Sequence, residues 1–177
     1  MSKGSGIDVK NFKPAIVYTI YIAATPEQVW KALTTAEFSR NYFSGFAIEA
    51  DLRVGGAFVA RAPDGSEHIS GEVIECDPNK RLTVTWNVNW PALVEKLGPT
   101  LVSYEIEEAG DVVRLTMLQS HDRDISDDIL SGGRAGWPAI LSSLKSLLET
   151  GHALAIKMQP PERMLAALKK MGIGVPM

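Results

Sequence analysis

The 177-residue chain has a single cysteine, Cys76. One thiol excludes an internal disulfide framework and any zinc site built on several thiolates. It reads as a half-buried strand residue in a reducing compartment, so the cytoplasm is the expected location. Long apolar runs are missing, and no membrane span is expected. The opening "MSKGSGIDVKNFKP" lacks the apolar centre of a signal peptide. Charge of one sign is not in excess: 18 Lys and Arg stand against 21 Asp and Glu. They are scattered, which gives no basic footprint for nucleic acid or an anionic membrane. Also missing are a G-x-S-x-G elbow, a P-loop and a dinucleotide fingerprint. "SGGRAGW" (131–137) has glycines but no preceding strand and no Lys-Ser/Thr pair, so it reads as a flexible approach to a helix. There are no repeats.

What is present is alternation. "AIVYTIYI" (15–22) is β-branched and aromatic, a strand. In "TPEQVWKAL", Thr25 suits an N-cap, Pro26 the first helical position, and Gln28 completes a capping box. A second short helix is expected over 36–42. Five or six strands follow, split by turns at "GG" (55–56), "PDGS" (63–66), "DPNK" (77–80) and "AGD" (109–111). Leu82, Val84, Trp86 and Val88 share one face, as do Val102, Tyr104 and Ile106, and Val113, Leu115, Met117, Gln119 and His121. One-sided alternation across successive strands means an antiparallel sheet with one wet and one covered face. "GWPAILSSLKSLLETG" supplies the cover. Trp137, Ile140, Leu141, Leu144, Leu147 and Leu148 form one helical stripe, with Ser142, Ser143, Lys145, Ser146 and Glu149 opposite. The expected helix covers 136–150. The connection 89–99 is long, with room for a helical turn. "PPERMLAALKKMGIG" predicts a short terminal helix between Pro161 and Gly172.

Four stretches together, "TPEQVWKALTTAEFSRNYF", "DLRVGGAFVA", "GEVIECDPNKRLTVTW" and "GWPAILSSLKSLLE", resemble a known family. It comprises single-domain proteins similar to the activator of the 90-kDa heat-shock protein ATPase, within the START-like (SRPBCC, Bet v 1-like) superfamily. The resemblance runs over about residues 15–150. It implies an α+β helix-grip fold: a curved antiparallel sheet wrapped around a long C-terminal helix, with two short helices after the first strand. The domains then read as a flexible lead-in (1–14), the helix-grip domain (15–151) and a C-terminal extension with a short helix (152–177). The extension lies beyond the family's usual end. The resemblance also implies an apolar cavity between helix and sheet.

The expected function is binding of a hydrophobic or aromatic small molecule there. Phe58, Ile69, Trp86, Tyr104, Ile106, Met117, Trp137, Leu141 and Leu144 are the expected wall, and Gln119 and His121 its polar end. Small inward residues at Ala50, Ala60 and Gly71 should leave a pocket of about 300–1,000 Å³, the usual range for ligand sites. Its mouth is expected near His121 and residues 89–99. No metal site, cofactor or catalytic residue is assigned. "HDRD" (121–124) reads as a solvated strand end, since no second ligand cluster is in view. Glu105, Glu107 and Glu108 lie on the outer face or a turn, where exposed carboxylates are poor general acids at neutral pH. Two other functions compete. One is a cyclase- or hydrolase-type enzyme with His121 as acid or base. The other is a protein-interaction module without a small ligand. The apolar spacing of Met164, Leu165, Leu168 and Met171 needs a covering surface, either the domain itself or a second copy in a homodimer.

Overall fold

The computed structural model describes residues 6–175. The ends of the expected lead-in and extension, 1–5 and 176–177, lie outside the described residues. A 3-10 turn over Val9–Asn11 is capped by Asp8, and strand β1 (Lys13–Ile22) begins at once. Two helices follow, α1 (Pro26–Thr34) and α2 (Ala36–Tyr42). The capping box forms as read: the Gln28 amide N–H donates to Thr25 Oγ1, and the Thr25 N–H to Gln28 Oε1.

The remaining strands are β2 (Ala47–Ala50), β3 (Ala57–Arg61), β4 (Glu67–Asp77), β5 (Arg81–Thr85), β6 (Asn87–Val88), β7 (Thr100–Ala109) and β8 (Val112–His121). They pair antiparallel in the order β1-β8-β7-β5-β4-β3-β2, with β6 on β4. The sheet is curved and open. Between β6 and β7 the long connection forms a full helix, α3 (Pro91–Leu97). Inner side chains such as Val84, Val102, Val113, Leu115 and Met117 are wholly buried. The alternation therefore assigns the faces correctly.

The grip helix α4 spans Asp127–Thr150, nine residues more than expected at its start. Three features support the added turns. Ser126 accepts from the Ile129 N–H. Asp127 and Asp128 occupy the first turn, where the helix dipole favours anions. Pro138 lies inside the helix and has no N–H for the Arg134 carbonyl. The Tyr18 hydroxyl donates to that carbonyl instead, at 3.0 Å.

The terminal helix α5 (Glu162–Lys170) docks on the same chain. Met164, Leu168 and Ile173 meet Leu93 of α3 and Ile129 of α4 in a second, small apolar cluster. Met171, expected in that stripe, is exposed. Between α4 and α5 the chain runs without regular structure. There Leu154 covers Ser143, expected on the wet face: Ser143 Oγ donates to the Leu154 carbonyl at 3.2 Å and Ser143 is buried.

Candidate functional site

The two halves of α4 meet the sheet differently. Along its second half Leu141 and Leu144 are buried in a continuous core with Phe58, Tyr104, Ile106 and Met117. Along its first half the helix presents Gly132, Gly133 and Gly136. Glycines four and three apart lie on one face. A bare face holds the helix away from nothing and fills nothing, so what sits opposite decides. Over Gly132 it is Met164, whose Sδ stands 2.4 Å from where a Cβ would be. Beside Gly133 are Ile16 and Gln119. Opposite Gly136 there is open space.

That space is a slit of about 240 Å³. Its walls include Trp86, Val88 and Ile69 from the sheet, Leu93 and Leu97 from α3, and Trp137 and Ile140 from α4. Met158 and Met164 of the C-terminal extension also line it. The Trp86 and Trp137 rings stand 5.4 Å apart at 50°. His68 reaches the rim, one ring face stacked on Phe46 at 4.1 Å. Burial on that side holds its pKa below the ordinary value.

Four of the expected site residues thus meet at the slit: Ile69, Trp86, Gln119 and Trp137. Phe58, Tyr104, Ile106, Met117, Leu141 and Leu144 lie in the packed core, outside its wall. Phe58 supports Trp86 from behind at 6.0 Å, and Tyr104 meets Trp137 edge-on at 6.3 Å. The slit is smaller than the expected range. One reason is Gly71, expected to leave volume. A Cβ there would stand 1.9 Å from the Thr85 carbonyl oxygen, so the glycine answers a close backbone approach between strands. Residues 89–99 were expected at the mouth and the terminal helix on a covering surface, but Leu93, Leu97, Met158 and Met164 were not named as walls; the glycine face was missed, its one signal the four-residue spacing of Gly132 and Gly136.

His121 is 2% exposed and sits behind Gln119. Its protonation follows from a chain of bonds. The Trp137 indole N–H can only donate, and it donates to Gln119 Oε1 at 2.9 Å. That fixes the amide, so Gln119 Nε2 donates to His121 Nε2 at 3.0 Å. His121 must then carry its proton on Nδ1 and donate it to Thr100 Oγ1 at 3.3 Å. Burial pushes the His121 pKa below its ordinary value; nearby Asp122 opposes this and Arg123 adds to it. The imidazole is therefore neutral at pH 7, with both nitrogens engaged. Among the described residues, no buried side-chain nitrogen or oxygen lacks a partner.

The strand order, the two helices after β1 and the long helix across the sheet define a START-like helix-grip protein. The family described as Activator of Hsp90 ATPase homolog 1-like protein matches residues 23–149, and the chain belongs to it. None of the curated proteins matches the sequence significantly. Solved structures do match in fold. Protein MLL2253 from Mesorhizobium loti is 26% identical, covering 75% of this chain and 96% of its own, with a TM-score of 0.61. The Aha1 dimer from Colwellia psychrerythraea is 24% identical over 77% and 96%, at 0.63. DynU16, a protein of the dynemicin biosynthetic locus, is 20% identical over 81% and 49%, at 0.64. Among the described residues no helix is long and apolar enough to cross a membrane.

Proposed function

We propose that the chain binds a small, uncharged, hydrophobic or aromatic molecule in the slit under Gly136. The observation that carries this reading is a mostly apolar space whose buried polar neighbours, Gln119 and Thr100, are already paired. An apolar cavity stays dry and accepts apolar guests; one of roughly 150 Å³ takes benzene. At about 240 Å³ the slit suits a somewhat larger planar guest lying against the contacting pair Trp86 and Trp137. A charged guest would find no free buried partner for its charge. Ile69, Trp86, Gln119 and Trp137 are the proposed contacts, with Leu93 and Leu97. Phe58, Tyr104, Ile106, Met117, Leu141 and Leu144 act behind them as support.

The enzyme reading is weaker. A general base must reach the proton it takes, directly or through one water. His121 is screened by Gln119 and has both nitrogens occupied. The homodimer expected from the tail stripe loses its main motive, since α3 and α4 already cover Met164 and Leu168. The cytoplasm stays the proposed location on the strength of the free Cys76.

The test is to fill the slit. Gly136→Leu places a side chain in open space without touching the packed half of α4. Calorimetry with naphthalene should show binding to the wild type and none to the variant, with circular dichroism unchanged. No naphthalene uptake by the wild type, or equal uptake by a folded Gly136→Leu, would sink the reading.

A further inference from the structure

We propose that the C-terminal extension is a size filter for the slit, with Met164 as the residue that sets the limit. The inference rests on the slit being a binding site. Its starting point is a boundary. The family match ends at residue 149, yet Met158 and Met164 line the slit. Without the extension this side of the space would lack both of these walls.

The closure is specific at one point. Met164 is buried, and its sulfur would stand 2.4 Å from a Cβ on Gly132, so any side chain there would have to push it aside. Methionine and glycine are thus fitted to each other across α5 and α4. A thioether is unbranched and adaptable, so it fills a narrow end without strain. Around this point the extension is held lightly. Its apolar anchors are Met164, Leu168 and Ile173. Ser143 and Ser146 tie down its start at Leu154 and His152, but the polar ties of α5 and the residues after it are Arg163 with Asp128, at 2.8 Å between exposed groups, and the Trp90 indole N–H to the Gly174 carbonyl at 3.0 Å. The stretch leading to it shows Leu154, Ile156 and Met158 to solvent. A segment with few buried contacts opens more readily than the core it covers. Guests can therefore pass when α5 lifts, while only those short enough to let Met164 return are retained.

The test uses the full chain and two uncharged probes, naphthalene by calorimetry and the longer phenylnaphthylamine by fluorescence. Wild type and Met164→Leu, which keeps the bulk, should bind naphthalene and exclude the longer probe. Met164→Ala should bind the longer probe tighter by roughly tenfold or more, the scale on which an apolar pocket discriminates by size. Gly132→Ala should shift the same way, because its methyl displaces the Met164 sulfur while leaving α5 intact in sequence. Equal affinity of wild type and Met164→Ala for phenylnaphthylamine would overturn the filter, as would its exclusion from every variant while naphthalene still binds. If naphthalene binds to none of the folded proteins, the slit itself is no binding site and both readings fall together.

Discussion

The two halves of α4 use the same sheet for opposite ends. From Leu141 onward the helix buries Leu141 and Leu144 in a continuous core with the strands. Before Trp137 it offers glycines, and the space is filled from outside by Met164 or left open under Gly136. The second half is the stability of the fold, and the first half is its site. The division teaches that in this chain a cavity is made by the helix, not by small residues on the sheet. Gly71 carries the same lack of side chain, yet it serves strand packing.

The largest effect that can break this contrast is in the packed half. Leu144 is fully buried and does not line the slit. Leu144→Ala should cost about 3–5 kcal/mol, toward the upper part of the range for buried leucines, since the site cannot collapse into an existing void. Chemical denaturation would measure it. A cost below about 1 kcal/mol, the level of an average substitution, would mean that the second half is as loosely filled as the first.

A smaller effect separates the halves by pH. Burial depresses the His121 pKa from its ordinary 6.5. The unfolded chain then binds a proton that the folded one refuses. Stability from this group is unchanged above the unfolded value and falls as pH drops from about 6.5 toward the folded pKa, by at most about 1.4 kcal/mol per pH unit. Protonation would put a second N–H on Nε2, against the Gln119 amide, and so disturb Trp137 at the slit. Denaturation at falling pH should show this slope in the wild type and a flatter one in His121→Gln. His68 is shifted the same way by burial, so His68→Gln is the control. An identical slope in wild type and His121→Gln would remove His121 from the account.

Much of this architecture was readable in the residues. Alternation assigned the inner faces, and Thr25 with Gln28 fixed the first helix. The first nine residues of α4 were not readable, because Gly132 and Gly133 in "SGGRAGW" read as a flexible approach to the helix. What overrides them is tertiary: Tyr18 takes up the carbonyl that Pro138 leaves free, and Met164 seats on Gly132. The slit was only half legible for a related reason. Periodicity says which way a side chain points but not how far its neighbour stands from it. Trp86 and Trp137 were expected in the wall on direction alone; the spacing of Met164 and Leu168 called for a covering surface, but no periodicity says that α3 and the start of α4 provide it beside the slit.

The smallest effect sharpens the comparison within the first half itself. A helix-interior glycine costs roughly 0.5–1 kcal/mol relative to alanine, so adding a methyl should stabilise wherever there is room. At Gly136 a Cβ meets nothing within 4 Å. Gly136→Ala should therefore raise stability by about 0.5–1 kcal/mol, the full propensity gain, and narrow the slit slightly. One turn earlier the sign should differ. A Cβ on Gly133 would stand 2.7 Å from Ile16 Cδ1 and 3.1 Å from Gln119 Oε1. Ile16 is buried, and Gln119 is tied to both Trp137 and His121, so neither yields freely. Gly133→Ala should lose its propensity gain to that crowding and come out neutral or destabilising. Thermal melts of the two variants side by side decide the matter. If both stabilise equally, the glycines are merely weak helix formers, and the helix face opposite the tryptophans is not shaped around a space.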